Sequence, residues 1–212
     1  FYFIACLLTL IKFFKKIYFT SKNYNKSLNS KLPKQVYYNP NPFLLSIITT
    51  YNALPFKISE INPNIFWLED KKKNSKHMHN FFWLSLIDRK TDNTKLKKII
   101  YIWMLKNSKY KNEIWETSTL SERVISWILN IDIILSNSNF DFKKNFLNCI
   151  ISQTNHLKKN IKFEKNLSKK IEILTAILLT GIVFSVITKD NDSGDFILGP
   201  ISGNLTEEDF CQ

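Results

Sequence analysis

The chain has 212 residues, of which 44% are hydrophobic and 14% aromatic, and this composition excludes a disordered polypeptide. The formal net charge of +12 suits nucleic acid, anionic lipid or an acidic polysaccharide as a partner. Only Arg89 and Arg123 are arginines among 30 basic residues, whereas nucleic-acid sites depend on arginine for bidentate contacts. Nucleic acid is therefore disfavoured. A chain this rich in Lys, Asn and Ile is also typical of AT-rich coding sequence, so charge alone names no partner.

The first nineteen residues, FYFIACLLTLIKFFKKIYF, are apolar but interrupted by Lys12, Lys15 and Lys16. A run of this length with three lysines is too short and too polar to span a bilayer comfortably. The pattern predicts an amphipathic helix that packs on the body of the protein or lies at a membrane surface.

Residues 21–64 contain five of the six prolines, and the Asn-Pro-Asn-Pro run at 39–42 forbids a regular helix. We therefore predict that residues 1–64 form an N-terminal helix followed by a proline-rich segment that wraps the body. Residues 65–212 are predicted to form that body. The chain begins with Phe1 rather than Met, and we expect it to be a piece of a longer protein.

Between Pro63 and Pro200 there is no proline, and no glycine occurs before Gly181. Apolar residues recur there with helical spacing, and no alternating strand pattern of any length is present. The predicted helices begin near Phe81 and then cover residues 96–105, 115–135, 140–157 and 168–188. We predict an all-α protein of consecutive antiparallel helix pairs.

The strongest helix signal lies between Trp115 and Leu135. Thr119 and Glu122 have the spacing of a capping box, in which each side chain satisfies one backbone donor of the first turn. One face beyond this cap is continuously apolar, with Trp127 near its middle, and Arg123 lies beside it. This helix therefore requires a partner surface within the body.

The three cysteines, Cys6, Cys149 and Cys211, are isolated and lack the spacing of a metal site. Cys149 lies in an apolar run, which predicts a buried thiol. We expect neither a metal nor a cofactor.

Several of these segments resemble, in order, the landmarks of one family. Leu120, Arg123 and Ser126-Trp127-Ile128, with Trp115 ahead of them, are similar to the W…S-x-R-[IL]-x-N-W-[IL] segment of heparinase II/III-type polysaccharide lyases. The resemblance extends upstream and downstream to Phe81-Phe82-Trp83-Leu84, Gln153, Leu157, Glu164, Ala176, Leu178, Gly181 and Phe184. These landmarks cover most of the chain.

The resemblance implies the N-terminal portion of an incomplete (α/α) toroid of helical hairpins, with the β-sheet domains lying downstream. It implies action on uronic-acid polysaccharides by β-elimination, and a periplasmic or cell-envelope location. In such an elimination one group neutralises the uronate carboxylate, and a Tyr or His transfers the proton.

In the family an Asn-His pair supplies the carboxylate-neutralising group. An ungapped alignment places Ser168-Lys169 at that position, and a two-residue shift places Asn166 there. Asn166 and Lys169 are thus the candidate catalytic residues, although a lysine in a solvated turn would have the same pattern. The catalytic Tyr would lie beyond Gln212, so we expect this fragment alone to be inactive.

Trp115, Arg123 and His156 are the candidates for binding the acidic polysaccharide. Arg123 could instead pair with Glu122 or with a helix end, and His156 fits an ordinary position on a helix surface. Tryptophans on apolar helical faces, Trp103 and Trp127, are expected in the core. The departure at the Asn-His position leaves a second function open, a non-catalytic helical module for polysaccharide binding or surface-polysaccharide assembly.

Overall fold

The computed structural model describes residues 2–30, 61–64, 66–67, 75–87, 93–111, 113–184, 188–189 and 196–197. These residues are mostly helical, which confirms the all-α prediction. The α-helices are α1 (Tyr2–Thr20), α2 (Lys22–Lys26), α3 (Ser75–His79), α4 (Thr94–Asn107), α5 (Thr117–Leu129), α6 (Ile131–Leu135), α7 (Phe140–Asn160) and α8 (Leu167–Phe184).

Short elements complete the described structure. Two 3₁₀ helices cover Phe82–Leu86 and Ile161–Phe163. Two strands of two residues each, β1 (Thr188–Lys189) and β2 (Phe196–Ile197), pair antiparallel, with Thr188 opposite Ile197 and Lys189 opposite Phe196. The remainder of the predicted proline-rich segment and the end of the chain lie outside the described residues.

Helix α5 is the centre of the fold. It packs along α8 most extensively, and also against α7, α3 and the first 3₁₀ helix. Nine of its residues are buried, among them Leu120, Val124 and Ile128. The facing side of α8 is buried from Ile173 to Phe184 and includes the small residues Ala176 and Gly181. Thus the stretch with the strongest sequence signal does find its partner surface, and α8 provides most of it.

The bounds of this central element differ from the prediction. The predicted helix is divided at Asn130, whose side chain donates to the carbonyl of Ser126 at 2.8 Å and whose backbone leaves the helical region at φ −113°, ψ 21°. The predicted capping box is wrong. Glu116 occupies the cap position without a side-chain cap, Thr119 is buried within the first turn, and Glu122 accepts a hydrogen bond from Asn80.

Aromatic side chains fill the centre of the core. Phe81 lies with its ring centroid 5.4 Å from Trp83, 5.5 Å from Trp103 and 5.1 Å from Trp127. Trp127 also contacts Phe146 of α7 at 5.2 Å. Both Trp103 and Trp127 have no exposed surface, which confirms their predicted core positions.

The chain enters the first 3₁₀ helix through a left-handed residue. Phe81 has φ 61°, a conformation that is unfavourable for a bulky side chain, and its carbonyl accepts a 2.5 Å hydrogen bond from the Ser126 hydroxyl. The predicted helix near Phe81 is therefore a single 3₁₀ element. The predicted helices over residues 96–105, 140–157 and 168–188 are confirmed as α4, α7 and α8, although α8 ends at Phe184.

We expect Trp127→Ala to lower the free energy of unfolding by about 3–5 kcal/mol, because a fully buried indole is removed from an aromatic core. Trp127→Phe should cost much less. The indole Nε1 of Trp127 has no acceptor among the described residues, so its loss leaves no new unsatisfied group. Phe140→Ala, at a position that is 75% exposed, is the matched control and should change stability by less than about 0.5 kcal/mol. Urea unfolding followed by circular dichroism measures all three, and equal losses for the two Trp127 variants would contradict this account.

Candidate basic groove

A groove with a volume of about 710 Å³ lies between α2, the C-terminal half of α4 and the middle of α7. We call it the α2–α4–α7 groove. Its side chains come from residues 20–29, 101–109 and 145–152. The volume falls within the range of about 300–1,000 Å³ that is usual for small-ligand sites.

The groove is basic. Lys22, Lys26 and Lys109 line it, and no Asp or Glu is among its described lining residues. Within the described part of the chain, none of these three ammonium groups has a carboxylate at ion-pair distance. Unneutralised positive charges in a concave surface reinforce one another and attract anions.

Neutral polar and apolar groups accompany the lysines. Amide side chains from Asn29, Asn145 and Asn148 line the groove and can both donate and accept hydrogen bonds. Its apolar part includes Tyr101, which is 39% exposed, and Leu105, which is 64% exposed. An exposed aromatic ring beside hydrogen-bonding groups and positive charge is a surface suited to an anionic sugar.

Hydrogen bonds between α2 and α7 hold one side of the groove. The Ser21 hydroxyl accepts from the backbone N–H of Tyr24 at 3.1 Å and so caps α2. At the other end of α2, Asn155 donates to the carbonyl of Leu28 at 2.8 Å, and the Lys159 ammonium donates to the carbonyl of Ser27 at 2.9 Å. The position of Lys22 and Lys26 relative to α7 therefore depends on these hydrogen bonds.

The structure places Arg123 in the interior, with no exposed surface. Its Nε donates to the Gln153 Oε1 at 2.7 Å, its Nη1 to the carbonyls of His79 and Ile114, and its Nη2 to the Ile114 carbonyl. The guanidinium carbon lies 4.5 Å from the centroid of the Trp103 ring. Burial lowers the pKa of Arg123 to about 9.

Of the alternatives for Arg123, the helix end is the one observed, since His79 is the last residue of α3. Its donors are directed at this chain's own oxygen atoms, and no described carboxylate forms an ion pair with it. The predicted pairing with Glu122 is not found. The buried position of Arg123 supports a role in stabilising the fold rather than direct contact with a polysaccharide.

Trp115 is also buried, with 1% of its surface exposed. Its indole Nε1 donates to the carbonyl of Asn107 at 3.0 Å, at the end of α4. Its ring lies edge-on to the His156 ring at 5.4 Å. This position does not support the predicted contact of Trp115 with a polysaccharide, because both the ring and its polar atom are used inside the core.

His156 is 2% exposed, so the prediction of a helix-surface position is wrong. The Asn160 side chain donates to the Tyr24 hydroxyl oxygen at 3.2 Å, and the same hydroxyl forms a 2.8 Å hydrogen bond with the Nδ1 of His156. The tautomer of the imidazole ring decides which of these two groups donates. Burial, with the nearby cations Lys15, Arg123 and Lys159, lowers the pKa of His156 to about 3, and burial raises the pKa of Tyr24 to about 12.

Asn166 and Lys169 lie at the beginning of α8, and Asn166 is exposed. The Asn166 side chain caps this helix by accepting from the backbone N–H of Lys169 at 3.2 Å. The Lys169 ammonium lies 3.8 Å from the Glu116 carboxylate, which also pairs with Lys76 at 2.7 Å. Both candidate catalytic residues therefore already have partners within this chain.

The five predicted site residues form two groups. Trp115 and His156 are in ring contact inside the core, and Arg123 donates to the residue that precedes Trp115. Asn166 and Lys169 lie near one another at a helix start. None of the five lines the α2–α4–α7 groove. The signal for the groove in the sequence is that residues 1–59 contain lysines but no Asp or Glu.

Comparisons of the chain with protein-family models, with curated proteins and with solved structures give no match. Among the described residues, no cluster of His, Cys, Asp and Glu has the arrangement of a metal site.

We expect Arg123→Ala to lower the free energy of unfolding by on the order of 3–6 kcal/mol, because two partly buried carbonyls and the buried Gln153 oxygen lose their donor. Arg123→Lys should recover only part of this loss, since one ammonium cannot reproduce the planar set of donors. The exposed Lys144→Ala is the control and should change little. Urea unfolding at neutral pH measures these values, and an Arg123→Lys variant as stable as the parent would show that charge alone matters.

Stability should also decrease in acid. The unfolded chain binds a proton at each of His156 and His79 below their ordinary pKa of 6.5, whereas burial lowers these pKa values to about 3 and about 4 in the folded chain. The unfolded state therefore binds more protons as pH falls from 6.5, and each histidine should remove up to about 1.4 kcal/mol per pH unit. Urea unfolding between pH 7 and pH 4 measures this slope.

His156→Gln should remove about half of the expected slope, because one of the two histidines whose pKa is lowered in the folded chain is gone. His77→Gln replaces an exposed histidine and is the matched control. A slope that survives His156→Gln undiminished would assign the acid sensitivity to other groups.

Proposed function

We propose that this chain is the N-terminal helical part of a heparinase II/III-like protein, and that its α2–α4–α7 groove binds an acidic polysaccharide. The observation that supports the proposal is the charge of this groove. Three lysines line it without a carboxylate among its described lining residues.

The chemistry of a uronic-acid chain matches the groups in the groove. Its carboxylates would meet the ammonium groups of Lys22, Lys26 and Lys109, and its hydroxyls would exchange hydrogen bonds with the asparagine side chains. The exposed Tyr101 ring provides an apolar face for a sugar ring. A polymer of repeated carboxylates would contact several of these groups at once.

The proposal includes a toroidal arrangement. Helices α7 and α8 follow one another in the chain and pack together, while α5 packs on both of them. We propose that they form consecutive layers of an (α/α) toroid that further helices would extend.

The described residues favour binding over elimination. Tyr24 and His156 form a buried pair, and the shifts of their pKa values oppose proton transfer at neutral pH. Asn166 and Lys169 are used in a helix cap and an ion pair. A non-catalytic binding or surface-polysaccharide assembly module is thus the second candidate, and β-elimination by a longer protein would need groups elsewhere.

A binding experiment tests the groove. We expect the chain to bind heparin or alginate but not neutral dextran. Replacing Lys22, Lys26 and Lys109 together by Gln should weaken this binding by about tenfold or more, at roughly 0.5 kcal/mol for each exposed charge. The control replaces three exposed lysines outside the groove, Lys98, Lys144 and Lys165, by Gln and has the same net charge. Calorimetry in low salt provides the affinities.

Equal losses in the groove variant and the control variant would show a general charge effect and contradict the groove. The two candidate functions differ in products. A longer protein that forms an unsaturated uronide, detected by its ultraviolet absorbance, is a lyase, whereas binding without this product favours the non-catalytic module.

A further inference from the structure

Helix α1 exposes an unusual amount of apolar surface. Its C-terminal end contacts the body, where Phe19 is 6% exposed and α1 packs against α2. Along the rest of the helix large apolar side chains are at least 47% exposed, including Phe3, Leu7, Leu10, Phe14 and Ile17. An isolated apolar residue on a surface is ordinary, but a continuous set along one helix marks an interaction site.

These side chains share one face of α1. At 100° per residue, Phe3, Leu7, Leu10, Phe14 and Ile17 recur every three or four residues along a single stripe. Lys12, Lys15 and Lys16 fall on the other side of the helix, together with the buried Phe19. The Lys15 ammonium lies 5.4 Å from the Phe19 ring centroid and 5.8 Å from that of Phe163. Lys15 therefore lies toward the body, Lys12 and Lys16 are exposed, and the apolar stripe faces away from the body.

The charge near this stripe has one sign. Helix α1 contains Lys12, Lys15 and Lys16 and no carboxylate. A protein partner with an apolar groove would require no such excess of positive charge, whereas anionic headgroups next to an apolar layer would match both features. Two residues of α1, Tyr2 and Tyr18, are of the type that concentrates at the boundary between headgroups and acyl chains.

The three lysines within α1 disfavour an orientation across a bilayer and favour one parallel to the membrane plane. The 19 residues of α1 extend about 28 Å at 1.5 Å per residue. None of the described helices combines the length and the apolarity that crossing a bilayer requires.

We propose that α1 binds the surface of an anionic lipid bilayer, with its apolar stripe against the acyl chains and its lysines near the headgroup phosphates. This binding is independent of the polysaccharide function, because the stripe lies on α1 and the α2–α4–α7 groove uses other side chains. Both proposals require an anionic partner. Only the membrane proposal also requires the apolar side chains of α1, which would contact the acyl chains of the lipid.

Vesicle sedimentation tests this proposal. The whole chain should sediment with phosphatidylcholine vesicles that contain phosphatidylglycerol, and at least tenfold less with phosphatidylcholine alone. Replacing Phe3, Leu10 and Phe14 by Ser should reduce sedimentation with the anionic vesicles at least tenfold. The matched control replaces Leu167, Ile171 and Leu174, which are 52–72% exposed on α8, by Ser and should sediment like the parent.

The groove variant with Gln at Lys22, Lys26 and Lys109 separates this proposal from the polysaccharide function. It should lose heparin binding and retain at least half of its vesicle binding. The α1 variant should lose vesicle binding and retain at least half of its heparin binding. If the parent chain bound anionic vesicles but not heparin, the polysaccharide proposal would be contradicted and the membrane proposal would not.

Three results would overturn the membrane proposal. The first is sedimentation of the α1 variant at the level of the parent, and the second is an equal loss in the α8 control. The third is a parent chain that does not bind vesicles but self-associates, together with an α1 variant that does not self-associate. This result would assign the apolar stripe to a contact between copies of the chain.

Discussion

The buried guanidinium of Arg123 is the interaction on which the described fold depends most. Its donors bind the end of α3, the turn before α5 and the side chain of Gln153 on α7, and its face lies against Trp103 of α4. One side chain therefore fixes four segments of the chain around α5. The oxygen atoms that accept its hydrogen bonds are dipoles rather than described carboxylates, so they fix geometry more strictly than a single ion pair would. Lysine could not occupy this position with equal effect.

Helix α7 connects the hydrogen bonds of Arg123 to the protein surface. Gln153 holds Arg123 from the inner side of α7, while Asn155 and Lys159 on α7 hold α2. The middle of α7 also lines the basic groove. An alteration of the core that rotates α7 would therefore move Asn145 and Asn148 relative to the lysines of α2. In this protein the interior polar network and the candidate binding surface are two sides of one helix.

The periodic patterns predicted the helices well, because apolar spacing reports directly on which face is buried. The all-α class, the bounds of α4 and α7 and the core positions of Trp103 and Trp127 follow from it. The capping box failed because Thr119 is drawn into the core. Burial of Arg123 and His156 could not be read from the sequence, since both depend on partners distant in the chain, such as Gln153 and Tyr24. The groove combines three separate segments, and spacing within any one of them carries no sign of it.

The hydrogen bond between Tyr24 and His156 joins residues that are 132 positions apart in the chain. Closing so long a loop has an entropic cost that is offset only when α7 and its neighbours are already assembled. During synthesis on the ribosome α2 must therefore wait, after it emerges, until α7 has also emerged. Through that interval Phe19, Tyr24 and Leu28, which are all buried in the finished structure, have no core to enter. Among the described residues, those of the N-terminal segment therefore expose apolar side chains that a chaperone could protect during synthesis.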